Sequence, residues 1–239
     1  MPMNKSSDSN TMPGKTKTVN QSRRNFLVKA GGAALLAGGL ASCNKFHDYF
    51  PHHGGGSNGS TDLGKGDYGI LNYAYALEQL EAAFYTKVIA SPYRGCNDYE
   101  FSLLKDIRDH EIAHREFFKN ALSSNAIKDL EVDFNSINFN SRDSVLATAK
   151  AFEDLGVSAY NGAGKLISNP DYLVIAGKIV SVEARHAAFI RDLISNGSFA
   201  DSTVIDMNGL DMSKNPPDVL AIANMFLKTK VSGNNLPTS

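Results

Sequence analysis

Two Glu-x-x-His quartets set the tightest limit on how this chain can fold: Glu111-Ile112-Ala113-His114 and Glu183-Ala184-Arg185-His186. Residues three apart on a helix share a face, so each quartet aims one carboxylate and one imidazole the same way. A single quartet is common by chance. Here each is preceded by a glutamate set in an apolar stretch. The first stretch is Leu77-Glu78-Gln79-Leu80-Glu81-Ala82-Ala83-Phe84-Tyr85, and the second is Phe152-Glu153-Asp154-Leu155-Gly156-Val157-Ser158-Ala159-Tyr160. In register, Glu78 meets Glu153, Leu80 meets Leu155 and Tyr85 meets Tyr160. Glu111 follows Glu78 by 33 residues and Glu183 follows Glu153 by 30. Phe117 and Phe189 each fall three residues after their histidine. The chain reads as two related helical hairpins.

The surrounding periodicity agrees. Ile70, Leu71, Ala74, Leu77, Leu80, Phe84 and Val88 recur at helical steps through residues 68–90, and Pro92 and Gly95 end that helix. Asn97 or Asp98 caps a second helix running to about Ser123. Residues 124–140 carry Val132, Phe134, Ile137 and Phe139 among polar neighbours and read as an extended crossover. Ser141 caps a third helix to about Ser168, and Asn169-Pro170 opens a fourth that ends near Gly197. Residues 198–215 read as loop, and Pro216-Pro217-Asp218 opens a short last helix to about Lys228. No run of alternating strands is evident. The predicted class is all-α: a four-helix bundle with one long crossover between helices 2 and 3 and a short C-terminal helix.

A carboxylate on a core face is costly unless compensated. Two divalent cations would balance Glu78, Glu111, Glu153 and Glu183, with His114 and His186 each supplying one neutral imidazole. Carboxylate-rich ligation with one imidazole per ion suits iron or manganese. This ligand set resembles that of the ferritin-like di-iron and di-manganese carboxylate proteins. The resemblance runs from about Tyr68 to Asn196 with all six ligand positions filled. Leu77–Tyr85, Gly156–Ala163 and Val182–Phe189 are similar to the exported ferritin-like branch that includes desiccation-related proteins. It implies two Fe or two Mn ions per chain.

Glu81 lies one turn beyond Glu78 and competes with it. Glu78 is preferred because it alone registers with Glu153, leaving Glu81 as an extra ligand or a group behind the ligands, opposite Gly156. Tyr85 and Tyr160 either bond a ligand on a neighbouring helix, pass electrons or simply fill core. Arg185, between two ligands, is expected to orient them. His110 reads as a surface histidine or one just behind the ligands, Asp109 and Arg115 as surface charges, and Cys96 as a loop residue without chemistry.

The amino-terminal end carries a different signal. Residues 1–21 are polar, and Ser22-Arg23-Arg24-Asn25-Phe26-Leu27 and Lys29 precede an apolar, glycine-rich run from Ala30 to Leu40. That run is too short for a bilayer, which needs about 20 residues. Paired arginines before it resemble a twin-arginine export signal, and Leu40-Ala41-Ser42-Cys43 resembles a bacterial lipobox. The expected organisation is a leader over 1–42, a Gly/Ser/His tether over 43–67, the bundle over 68–197 and a C-terminal loop and helix over 198–239. Lipidation at Cys43 would hold the protein to a membrane, facing the periplasm or cell surface. His52 and His53 read as tether residues.

Composition closes off other classes. Among 239 residues, 24 basic and 25 acidic side chains give a net charge of −1, without the basic field of a nucleic-acid binder. Two cysteines exclude a disulfide-stapled domain, and no Cys-x-x-Cys is present for a rubredoxin-type iron. The expected activity is redox chemistry on a small oxidant, oxygen or hydrogen peroxide: ferroxidase, peroxidase or catalase-like. The alternative is metal sequestration or stress and desiccation protection with little turnover. Homo-oligomers are compatible with either, although a tether on every subunit disfavours a mineral-storing shell.

Overall fold

The computed structural model describes residues 59–238, so the leader, Cys43, His52 and His53 lie outside the described residues. Four long helices carry the chain: α1 (Gly66–Ala90), α2 (Asp98–Leu122), α3 (Arg142–Gly164) and α4 (Pro170–Ile194). A short α5 (Pro216–Ala223) follows. α1 packs chiefly along α2, and α3 along α4, giving two hairpins joined by the crossover 123–141. This is the all-α bundle with one long connection expected from the periodicity. None of the described helices is long and apolar enough to cross a membrane.

The helix starts follow local chemistry. Asn97 accepts a hydrogen bond from the Glu100 N–H at 2.9 Å, and Asn169 accepts from the Asp171 N–H at 2.9 Å with Pro170 in the first turn. Ser141 caps α3 through the Ser144 N–H. α3 stops at Gly164, four residues before the expected end. Asp67 in the first turn of α1 accepts the N–H groups of Ser168 and Asn169 at 2.8 and 2.9 Å. The chain must already have turned by then to enter α4.

The crossover is clamped to α1. Asn72, buried, donates to the carbonyls of Leu63 and Asn125 and accepts from the Ile127 N–H. Gln79 accepts from the Leu130 N–H at 2.6 Å. Phe134 and Phe139 pack around Phe84, which also meets Phe152 of α3 edge-on at 5.2 Å. The crossover thus closes one side of the core.

Both flanks of the bundle are tied down more firmly than a tether and a loop would be. Residues 59–67, expected to be the end of a flexible linker, join the fold. β1 (Thr61–Asp62) pairs in parallel with β2 (Val231–Ser232), and Leu63 is fully buried. The last helix ends at Ala223, short of the expected Lys228. Asn224 there exchanges hydrogen bonds with the backbone of Val231, turning the chain back towards β1. The segment 198–215 is anchored by buried Arg191, which holds Asp154 at 2.8 and 2.9 Å, Asp201 at 3.1 Å and Thr203 at 2.7 Å. Farther on, the Lys214 N–H donates to Ser158 O at 2.9 Å, and the loop presses so closely on α3 that a Cβ at position 162 would meet Lys214 O at 1.8 Å. Only glycine fits there.

Asn72→Leu keeps side-chain size but leaves Leu63 O, Asn125 O and the Ile127 N–H without their partner. A loss of about 3 kcal/mol is expected from the cost of unsatisfied buried groups. Urea unfolding checks it: a midpoint unchanged from the parent would mean that Asn72 does not hold the crossover.

Candidate metal centre

The bundle brings all six predicted ligands to one place. Glu78 comes from α1, Glu111 and His114 from α2, Glu153 from α3, and Glu183 and His186 from α4. All four glutamates are at most 1 % exposed. Their helical spacing does the placing: Glu111 and His114, like Glu183 and His186, are three apart and share an inward face.

The atoms divide into two overlapping sets. Glu78, Glu111, His114 and Glu183 form one; Glu111, Glu153, Glu183 and His186 form the other; within each, the donor atoms lie within 4.8 Å of one another. Glu183 turns Oε1 to His114 at 2.8 Å and Oε2 to His186 at 3.2 Å. Glu111 likewise turns Oε1 to His186 at 2.8 Å and Oε2 to His114 at 3.8 Å. Glu78 stands 3.5 Å from His114, and Glu153 3.5 Å from His186. Two carboxylates are therefore shared, and one glutamate and one histidine belong to each end.

The tyrosines complete the pattern crosswise. Tyr85 of α1 donates to Glu153 Oε1 at 2.5 Å, and Tyr160 of α3 donates to Glu78 Oε1. The seven-residue Glu–Tyr interval on two oppositely running helices makes both pairs meet. Both tyrosines thus bond a carboxylate on a neighbouring helix, one of the three roles open to them, and both are buried in the core.

Six of the eight buried side-chain polar atoms without a hydrogen-bond partner among the described residues belong to this cluster: Glu78 Oε2, both oxygens of Glu111, His114 Nδ1, Glu153 Oε2 and Glu183 Oε1. Several lie 2.8 Å from a neighbour yet are poorly directed for a shared proton. Buried polar atoms are normally paired. Lone pairs that converge without pairing suit cations, and this donor set fits two of them.

Residues 66–196, more than half of the chain, match the ferritin-like domain. The chain belongs to the ferritin-like domain family. No curated protein matches it. In this ferritin-like domain, the buried carboxylate and histidine cluster is compatible with a two-metal site.

The remaining candidates sort by geometry. Glu81 is buried but stands outside both donor sets, facing Gly156: a Cβ there would lie 3.1 Å from Glu81 Oε1. Burial, reinforced by Glu111, Glu153, Glu183 and Glu78, holds its carboxyl well above the usual carboxylate range. Arg185, expected to orient the ligands, is exposed and forms no ion pair among the described residues. Each residue turns a helix by about 100°, so a residue between two inward-facing positions spaced three apart points outward. Asp109 pairs with Lys105 and Arg108, and Arg115 with Glu116, as surface charges. His110 is half-buried, with Nδ1 2.9 Å from His186 Nε2. Its place beside a ligand hinted at proximity, but the contact depends on how closely α2 and α4 approach.

The cluster's own charges set its pH response. Burial and the nearby Glu183 push Glu111 up to about 8. Burial alone would lower His114, but Glu78, Glu111 and Glu183 around it push it up to about 12. Both shifts mean that the fold binds more protons than the unfolded chain, for Glu111 between 4.5 and about 8 and for His114 above 6.5. Their contribution is fully present below those ordinary values and is lost as pH rises towards the folded ones. Glu183, lowered to about 2, acts oppositely, but only below 4.5. Chelator-stripped protein should therefore lose stability between about pH 5 and 8. Cations displace these protons, so stabilisation by Mn(II) should grow over the same range. Thermal melts with and without Mn(II) check this; a gap that narrows with pH would contradict the assignment.

Proposed function

We propose that this chain is an exported, lipid-anchored ferritin-like protein that holds two iron or two manganese ions and acts on oxygen or hydrogen peroxide. The observation that carries the reading is the division of Glu111 and Glu183, each turning one oxygen to His114 and the other to His186. Two cations at those positions would share both carboxylates, and their charge would balance the four glutamates. A redox-active pair supplies two electrons together, the number that reduction of peroxide to water or of oxygen to peroxide requires.

The protein's residues would do the rest. Glu78 and Glu153 would each serve one ion, with the free oxygen fixed by Tyr160 or Tyr85. The apolar faces around them exclude bulk water, which strengthens every electrostatic contact inside. His114 is the more open end: its side chain is 14 % exposed against 5 % for His186. A small oxidant is best admitted there.

Export and anchoring rest on the sequence pattern from Ser22 to Cys43. The twin-arginine route carries proteins already folded, which suits a chain that must acquire its metal before leaving the cytoplasm.

Anaerobic loading of the chain beyond Cys43 with Fe(II) or Mn(II), followed by air or peroxide, tests the reading. Two ions per chain and rapid oxidation are expected. Two ions without oxidation would favour metal sequestration or stress protection, and no bound ion would refute the metal reading. Glu153→Ala should cost one ion and Glu111→Ala both, with helical content retained in circular dichroism. Cys43→Ala should release the full-length protein from membranes; attachment that still requires detergent would count against the lipid anchor.

A further inference from the structure

The two halves of the site differ beside the shared glutamates. His110 precedes Glu111, whereas Val182 precedes Glu183. His110 Nδ1 lies 2.9 Å from His186 Nε2, and the two rings are only 11° from parallel with centroids 5.2 Å apart. Subtracting the contact from the centroid distance leaves little more than the two ring radii. Both nitrogens therefore lie close to the line joining the ring centres, along which an imidazole N–H and lone pair point. The contact is a head-on, near-coplanar hydrogen bond and not a face-to-face stack.

His186 thus has one nitrogen facing inward and one committed outward. Its Nδ1 faces Glu111 at 2.8 Å, Glu183 at 3.2 Å and Glu153 at 3.5 Å. His114 aims its Nδ1 inward in the same way, but no side chain among the described residues bonds its Nε2.

We propose that His110 is the positioning residue for His186: its Nδ1 accepts the His186 Nε2 proton and leaves His186 Nδ1 as the lone pair aimed at the ion between Glu111, Glu153 and Glu183. This inference rests on the two-ion reading. A hydrogen bond on the outer nitrogen of a ligating histidine fixes both tautomer and ring orientation. Only one of the two ions has that support, so the positions are unequal: the ion at His186 is held more tightly, and the ion at His114 exchanges first.

Two measurements on the full chain test this. Long-range proton–nitrogen correlation of the histidines in chelator-treated protein at neutral pH should show His110 bare at Nδ1 and protonated at Nε2. A proton on His110 Nδ1 would overturn the proposal, whether or not metal binds. In stepwise anaerobic Mn(II) titration, His110→Ala and His110→Leu should weaken the tighter ion by about 10- to 100-fold and leave the other within a few-fold. His110→Asn, whose amide oxygen takes the place of Nδ1, should restore most of the loss. Unchanged affinities in the Ala and Leu variants, or equal weakening of both ions, would overturn it. A parent that binds no Mn(II) or Fe(II) would refute the two-ion reading, and the histidine spectrum would still decide whether His110 accepts the proton.

Discussion

Four glutamates buried at the centre of a helical bundle are the constraint on which the rest of the structure depends. A carboxylate removed from water must be paired, protonated or bound to a cation. Here the cluster's own groups go part of the way. His114 and His186 are held towards their protonated forms, Glu111 and Glu81 towards neutrality, and two tyrosines each satisfy one oxygen. Six polar atoms of the cluster still lack a hydrogen-bond partner among the described residues. Each ligand must therefore sit on a rigid element, because a frayed helix would let water in and relax the site. That requirement accounts for long helices, short turns within each hairpin and a crossover fastened to α1 along its length.

The internal repeat explains the pairing of the site, and its departures explain why the halves are not equivalent. The Glu–Tyr interval, used twice on oppositely running helices, produces two crosswise bonds from one sequence pattern. Glu81 against Gly156 breaks that symmetry. A side chain at 156 would crowd the Glu81 carboxyl, so the extra acid and the missing side chain form one packing unit. His110 against Val182 breaks it again, at the other level of the site.

What was legible in the sequence was whatever is encoded by spacing along a helix. The quartets, the Glu–Tyr interval in each half and the caps at Asn97, Ser141 and Asn169 all depend on neighbours within a few turns, and the fold places them accordingly. What was not legible depends on approach between distant segments. A two-residue strand has no period, so Thr61 and Val231 gave no sign of pairing. The early end of α3 is set by Asp67, about a hundred residues away. Arg185 stands between two candidate ligands in the sequence, but helical rotation carries it to the surface. His110 lies on the flank of α2, where only the actual approach of α4 makes it a partner of His186.

The peripheral ties also bear on the site. Arg191 lies on α4, five residues beyond His186, and Asp154 lies next to Glu153 on α3. Their bidentate ion pair spans the helices that carry one end of the cluster, and the same guanidinium holds Thr203 and Asp201. Planar, doubly bonded pairs of this kind resist rotation as well as separation. The candidate ligands Glu153 and His186 are thereby fixed relative to one another from outside the core, while the Tyr85 bond and the His110 contact fix their side chains from within it. At the other end, His114 is more exposed and has no outer partner among the described residues. Rigidity and burial rise together towards His186, and access rises towards His114. A pair of ions held in this gradient would be retained at one end and reached from the other.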